Sequence, residues 1–185
     1  MRRYHALSVI LLLVGAGYLL LTARATGVAS GSTTTIRLWD ACDPASFDQV
    51  LGPGSCLSGR HGTETFDIFI NEVTVDRIAG AWRFGSTKYD LPSGRNTLLE
   101  NRGGETHTFT KVEKFGGGFV PILNQLSGNP TPAPECLAPP SSTFTFVPGL
   151  GKVAGPMAGS AALPSGVSRY QCCIHPWMRT VITVK

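Results

Sequence analysis

The spacing of glycine and proline is the feature that most limits the fold of this 185-residue chain. It contains 22 Gly and 13 Pro residues, and from Ala79 onward they separate short apolar runs, together with Ser and Asn. Turn-forming residues at such short intervals leave little room for long helices. The many short β-like runs between turns predict a mainly β domain over residues 79–185, built as an antiparallel sandwich or barrel.

The predicted strands are short runs bounded by turn residues. Upstream of them, Ile36–Trp39 is either a further short strand or part of an extended segment. Gly116–Pro140 is rich in Gly, Pro and Asn, and we expect a long loop without regular structure there, the first part of an insertion that reaches Gly166. The runs that predict strands are Ala81–Phe84, Tyr89–Leu91, Asn96–Glu100, Thr106–Val112, Phe144–Val147, Ser168–Cys172 and Thr180–Val184.

Two helices are predicted before the β domain. Asp43 is a favourable N-cap and Pro44 a favourable first helical residue, and Gly52–Gly54 would end this helix within about two turns. Between residues 64 and 75, apolar side chains recur at i, i+3, i+4 and i+7, which predicts a helix with one face on a core. We therefore expect residues 26–78 to form an N-terminal extension with short helices. The apolar side chains of the second helix are Phe66, Phe69, Ile70 and Val73.

The first 25 residues have the pattern of a signal peptide. Arg2 and Arg3 supply a positive start, Ala6–Leu21 is a 16-residue apolar run, and Ala23–Ala25 places small residues at an A-x-A cleavage site. The alternative is an uncleaved membrane anchor, although a run of this length is short for a span. We expect cleavage, which would leave an exported protein of the periplasm or extracellular space that no longer contacts a membrane.

Composition and charge argue against two classes of protein. With 42% hydrophobic and 15% charged residues, the bulk of the chain is not disordered. The formal net charge of +4 falls to +1 when Arg2, Arg3 and Arg24 of the N-terminal segment are left out. No basic surface of the kind that neutralises phosphates is expected, so nucleic acid is not a predicted partner.

Five cysteines in an exported chain leave one without a disulfide partner. Cys42 and Cys56 enclose a short loop that contains Pro and Gly, and we expect them to pair. Cys136 would then pair with Cys173 and leave Cys172 as a thiol. The sequence alone leaves this connectivity open, and the odd cysteine is either a metal ligand or a lone reactive thiol.

The segment from Cys172 to Met178 has C-x-x-H-x-x-M spacing and carries a thiol, the His175 imidazole and a thioether. His107, in a separate strand-like run, adds a second imidazole. These four groups suit copper, since a His₂Cys site with a weak axial Met is an electron-transfer copper site. Zinc accepts Cys and His but gains little from a thioether, so copper is the preferred metal. Without a metal, Cys172 and His175 would be a structural pair and His107 a satisfied surface histidine.

Cys172, rather than its neighbour Cys173, is the predicted ligand. Side chains in a strand alternate between faces, so adjacent cysteines point apart. The two residues between Cys172 and His175 let both side chains turn back on one ion. The single residue between Cys173 and His175 would strain such a loop, so Cys173 is left for a disulfide.

These residues resemble those of the cupredoxin family, and the Cys172–Met178 loop is most similar to that of amicyanin-like and plastocyanin-like proteins. The resemblance covers about Ala79–Lys185, including the run that ends in Asn101–Phe109 and the closing strand Val181–Val184. It implies a Greek-key β-sandwich that holds one copper ion per chain. The ligands it implies are equatorial His107, Cys172 and His175 and axial Met178.

The same resemblance implies a one-electron carrier, not an enzyme, that works as a monomer and meets redox partner proteins transiently. Three histidines follow the N-terminal segment, too few for the trinuclear cluster of a multicopper oxidase. We expect Pro176–Met178 to flank an exposed edge of His175 where a partner docks. The alternatives are a module that sequesters or delivers copper and a metal-free β-sandwich that binds another exported protein.

Overall fold

The computed structural model describes residues 32–58, 63–137, 144–155 and 162–185. The predicted signal peptide lies outside these ranges. None of the helices within them is long and apolar enough to cross a membrane. The strands are β1 (Thr33–Trp39), β2 (Arg83–Phe84), β3 (Lys88–Leu91), β4 (Asn96–Asn101), β5 (His107–Val112), β6 (Phe144–Val147), β7 (Lys152–Gly155), β8 (Gly166–Gln171) and β9 (Arg179–Val184). The helices are α1 (Pro44–Leu51), α2 (Phe66–Asp76), α3 (Pro121–Leu126) and α4 (Pro134–Leu137).

The strands form two sheets around one core. One sheet has the order β2-β1-β4-β7 and the other the order β3-β9-β8-β5-β6. Leu38 and Leu99 of the first sheet and Phe109, Tyr170 and Ile182 of the second are at most 2% exposed and belong to one apolar cluster. Two sheets that share a core form a sandwich. The predicted mainly β sandwich is therefore confirmed.

Strand pairing is mixed, which corrects the prediction of an antiparallel sandwich. β1 runs parallel to β4 and β3 runs parallel to β9, whereas the other described pairs are antiparallel. A parallel pair needs a long crossover connection, and α1 and α2 lie in the connection between β1 and β4. Short runs and turns indicate strands, but they contain no information on which distant strands pair.

The alternative left open for Ile36–Trp39 is decided in favour of a strand. β1 lies between β2 and β4 in the first sheet, and Ile36 is fully buried. Residues before 79 thus contribute a strand to the sandwich. The division of the chain at residue 79 into an extension and a domain stays a prediction.

The two upstream helices form where capping and periodicity predict them. Asp43 caps α1 by accepting a backbone N–H bond at 2.9 Å, and Thr65 caps α2 in the same way at 3.4 Å. Phe69 of α2 packs on Trp82, with ring centroids 4.5 Å apart. This packing places α2 beside His175, whose ring centroid lies 6.1 Å from that of Phe69.

The described part of Gly116–Pro140 contains two helices, so the prediction of a loop without regular structure is wrong there. α3 begins at Pro121 and α4 at Pro134. Proline is favourable in the first turn of a helix because the N–H it lacks would have no helical partner there. In the sequence alone, the same prolines indicate turns, and for that reason these two helices were not predicted. β7, which the turn pattern does not predict, pairs with β4.

Candidate metal centre

Three of the predicted ligands meet in the interior of the sandwich. His107 begins β5, Cys172 follows β8, and His175 lies in the turn before β9. All three side chains are at most 2% exposed. The Cys172 Sγ atom lies 4.0 Å from His107 Nδ1 and 3.8 Å from His175 Nδ1, and the two nitrogens are 3.2 Å apart. These three atoms are close enough to share one metal ion.

Strand pairing and a tight turn bring these residues together. β5 and β8 are antiparallel neighbours with Thr110 opposite Gln171, so the start of β5 meets the end of β8. The Cys172 N–H donates to the Met178 carbonyl at 3.0 Å, and the Met178 N–H donates to the His175 carbonyl at 2.9 Å. The turn therefore closes on itself and presents Cys172 and His175 to the same point.

Met178, the fourth predicted ligand, lies at the end of this turn. Its side chain is 1% exposed and belongs to the apolar core. Its backbone closes the turn on Cys172. A role for its sulfur as a ligand stays a prediction.

The Cys172 sulfur accepts hydrogen bonds from the backbone. The N–H groups of Thr108 and His175 donate to it at 3.3 and 3.4 Å. Burial raises the pKa of the thiol, but hydrogen bonds and charge from His107 and His175 outweigh burial and hold this pKa well below its ordinary value. The site thus favours the thiolate, which is the form that binds metals.

Asp40 contacts the candidate ligand His107, and no sequence pattern indicates this contact. Its carboxylate lies 2.9 Å from His107 Nε2 and accepts hydrogen bonds from the N–H groups of Gly104 and Glu105 at 2.9 and 3.2 Å. Burial lowers the pKa of His107, but Asp40 and Cys172 outweigh burial and raise it to about 10. When the ring gives up its second proton to bind a metal, the proton held at Nε2 by the carboxylate leaves Nδ1, the nitrogen that faces Cys172, as the ligand atom. Asp40 is 67 residues from His107 in sequence, so only the fold brings them together.

Glu105 lies behind the second imidazole. Its Oε2 atom is 3.5 Å from His175 Nε2 and accepts a hydrogen bond from Trp82 Nε1. Burial raises the pKa of this carboxyl group. Each histidine therefore has a carboxyl group beside Nε2, an arrangement that orients metal-binding imidazoles. The one sequence signal for Glu105 is its position two residues before His107.

Both predicted disulfides are present. Cys42 bonds to Cys56, and Cys136 bonds to Cys173. Within the described ranges, which include all five cysteines, Cys172 is the free one, and it is buried. Cys173 is thus bonded in a disulfide and Cys172 is free, as predicted from adjacent side chains that point to opposite faces of a strand.

His175 is covered, which corrects the prediction of an exposed docking edge. Its side chain is 2% exposed. Phe69 and Trp177 lie against it with ring centroids 6.1 and 5.5 Å away. The cover comes from α2 and from the turn itself. The periodicity of α2 indicates an apolar face, but it does not show which part of the core that face covers.

The donor set of this centre fits copper. One thiol sulfur and two imidazole nitrogens converge from the start of β5 and from the turn after β8, and carboxyl groups lie behind both rings. Sulfur ligands suit Cu(I) and imidazole ligands suit Cu(II). Zinc also accepts these ligands, but a buried thiolate between two imidazoles is what an electron-transfer copper site requires.

Comparisons with known proteins gave matches among solved structures, whereas no protein-family model and no curated protein matches this chain. The chain is similar to cupredoxins. A purple cupredoxin from Nitrosopumilus maritimus is 15% identical over 62% of this chain and 90% of that chain, with a TM-score of 0.38. Auracyanin from Roseiflexus castenholzii is 16% identical over 56% and 87%, with a TM-score of 0.33. A Cu(I) amicyanin variant is 15% identical over 60% and 86%, with a TM-score of 0.29.

These cupredoxin matches agree with the resemblance predicted from the Cys172–Met178 loop. The function proposed for this chain rests on the geometry of the candidate metal centre.

Proposed function

We propose that this protein is an exported type 1 copper protein that carries single electrons. It would bind one copper ion per chain through His107, Cys172 and His175, with Met178 as a weaker axial ligand. The observation that carries the proposal is the convergence of one thiol sulfur and two imidazole nitrogens, none more than 4.0 Å from the next, inside the core.

Copper bound at this centre would supply one-electron chemistry, because it is stable as both Cu(I) and Cu(II). The part played by the chain is to hold its donor atoms still. The Thr108 N–H fixes the Cys172 sulfur, and Asp40 fixes the His107 ring. Donor atoms held in this way move little when an electron passes. The proposed role makes and breaks no substrate bond, so it is not enzymatic.

The proposed partner is another redox protein that docks transiently on this protein as a monomer. Because His175 is buried, an electron would reach the surface through an aromatic neighbour rather than through the edge of the His175 ring. Trp177 contacts that ring and keeps part of its own surface exposed. The two disulfides support an exported location, since such bonds persist in oxidising compartments.

Copper titration of the purified protein, followed by visible absorption, tests this proposal. The wild-type protein should bind one equivalent and develop an intense band from thiolate-to-copper charge transfer. Cys172→Ser should lack this band because the thiolate is absent. Cys173→Ser, the matched control, changes the neighbouring sulfur and should keep the band. A band that survives Cys172→Ser, or its absence from the wild type, would overturn the proposal.

Met178 separates an electron carrier from the alternative, a protein that sequesters or delivers copper. In a carrier, Met178→Gln should retain copper and the visible band and lower the reduction potential, because a harder oxygen donor favours Cu(II). In a store for Cu(I), the thioether would be a main anchor, and its loss should cost much of the Cu(I) affinity. Voltammetry and Cu(I) titration of both proteins measure these effects. Copper release by Met178→Gln, with no reversible wave in the wild type, would favour the copper store.

A further inference from the structure

A cavity of about 230 Å³ lies beside the metal centre and plays no part in the proposed electron transfer. It is enclosed by α2, α3 and the turn that carries His175. Its walls are almost entirely apolar. The residues that define this cavity are Phe66, Phe69, Ile70, Leu123, Glu105 and His175.

The cavity is open to solvent at one side. Leu51 of α1 and Ile122 of α3 also line it, and they are 55% and 57% exposed. Side chains that line a cavity and face solvent mark its opening. A small molecule could therefore enter between these two helices without local unfolding.

Glu105 brings a carboxyl oxygen to this apolar cavity. The Trp82 N–H and the His175 imidazole both face Oε2, whereas Oε1 has no hydrogen-bond partner in the part of the chain that the structure describes. The Glu105 side chain is only 10% exposed. A carboxyl oxygen that makes no hydrogen bond within the protein can still accept one, so a bound molecule that donates a hydrogen bond would pair with it.

We propose that this cavity binds a small single-ring aromatic molecule with one hydrogen-bond donor, phenol being the simplest. An apolar protein cavity of about 150 Å³ binds benzene, so the volume here accommodates one substituted ring. Phe66 and Phe69 offer aromatic surface to that ring, and its O–H group would donate to Glu105. Binding of this kind goes beyond electron transfer and does not depend on copper.

Titration of the metal-free full chain with phenol, followed by calorimetry or ligand-detected NMR, tests this inference. Toluene is the matched probe because it has nearly the same shape and no hydrogen-bond donor. We expect phenol to bind about tenfold more tightly than toluene, since toluene cannot donate to the carboxyl group. Equal binding of the two probes, or no binding of phenol at millimolar concentration, would overturn the proposal.

Two tryptophan variants locate the site. Ile122→Trp fills the opening and should abolish phenol binding. Ile68→Trp is the matched control, because Ile68 lies on α2, is 46% exposed and is not among the residues that line the cavity. It should bind phenol as the wild type does. Both positions are exposed, so both variants should fold, which circular dichroism checks.

Unchanged phenol binding by Ile122→Trp would place the ligand elsewhere and overturn the proposal. This failure differs from a failure of the proposed function, because it would leave the visible copper band of the wild-type protein intact. Conversely, if the wild-type protein binds phenol and develops no copper band, the proposed function fails and the cavity proposal stands.

Discussion

Asp40 holds three groups of the metal centre in place. Its carboxylate accepts N–H bonds from Gly104 and Glu105 and pairs with His107. Burial raises the pKa of Asp40, but His107 and the two N–H groups outweigh burial and lower it. A charged carboxylate behind an imidazole makes that imidazole a better metal ligand.

Asp40→Asn should reduce copper affinity by about 10–100-fold, the usual effect of losing such an outer partner of a metal ligand. The amide keeps the shape of the carboxylate without its charge. Competition with a copper chelator measures the change. Asp90→Asn, at an exposed position that pairs with Lys88 at 3.7 Å, is the control and should leave affinity unchanged. Wild-type affinity in Asp40→Asn would contradict the role given to Asp40.

The Asp40–His107 pair should also make the stability of the metal-free protein depend on pH. The pKa of Asp40 lies below its ordinary 3.8, so its contribution is present above about pH 4 and is lost as the pH falls. The pKa of His107 is raised from 6.5 to about 10, so its contribution is present below about pH 6.5 and is lost as the pH rises through about 10. The wild type should therefore exceed Asp40→Asn in free energy of unfolding most between about pH 4 and 6.5.

Urea denaturation of both proteins across this pH range measures the difference in free energy of unfolding. The comparison isolates the pair, because the other titrating groups are common to both chains. A difference that is the same at every pH would show that Asp40 and His107 do not form an ion pair in the metal-free protein.

At the scale of elements, glycine lets two segments approach the strands and turn of the site. A Cβ at Gly104 would overlap the Leu57 carbonyl, and a Cβ at Gly118 would overlap the Cys173 carbonyl. The Phe119 N–H donates to that same Cys173 carbonyl at 2.8 Å. The segment that leads into α3 therefore packs directly on the cysteine loop, at a distance that only glycine permits.

Gly118→Ala should lower the free energy of unfolding by about 1–3 kcal/mol, because the added methyl group forces two backbone segments apart. We expect the cysteine loop to shift and the copper band to weaken. Gly80→Ala is the matched control, since a Cβ there meets nothing within 4 Å. Urea denaturation and copper titration compare the two variants. Equal stability of both would show that the cysteine loop adapts freely.

At the scale of the whole molecule, two disulfides lie close to the candidate metal centre. The Cys42–Cys56 bridge packs on the turn before β5, where a Cβ on Gly104 would lie 2.9 Å from both sulfurs. The Cys136–Cys173 bridge joins α4 to the loop that carries the free thiol. The first bridge thus closes a loop that packs beside the site, and the second bonds α4 directly to the cysteine loop.

Removing each bridge by a pair of Cys→Ala substitutions should destabilise the protein by different amounts. The paired cysteines are separated by 14 residues at Cys42–Cys56 and by 37 at Cys136–Cys173. The chain-entropy relation gives losses of about 3 and about 4 kcal/mol. Urea denaturation measures both losses. A smaller loss at the longer loop would show that packing, rather than loop closure, sets the contribution of these bridges.

Features that depend on neighbours in the chain could be predicted from the sequence. Asp43 caps α1 because its side chain reaches an N–H three residues on. The apolar period of α2, most of the strands and the C-x-x-H-x-x-M turn are likewise local patterns. The two disulfides could be expected, though not established, from the short loop between Cys42 and Cys56 and from the opposite facing of adjacent cysteines. α3 and α4 were not predicted, because proline is favourable in β-turns as well as in the first turn of a helix, and the sequence does not distinguish the two.

Features that depend on distant contacts were decided by the tertiary structure alone. The parallel pairing of β1 with β4 requires a crossover that no turn pattern specifies. Asp40 reaches His107 across 67 residues, and α2 buries His175, which the loop sequence suggested would be exposed. The candidate ligand atoms could therefore be predicted from the sequence, whereas their contacts with carboxylates and their burial arise only when the sheets and helices pack together.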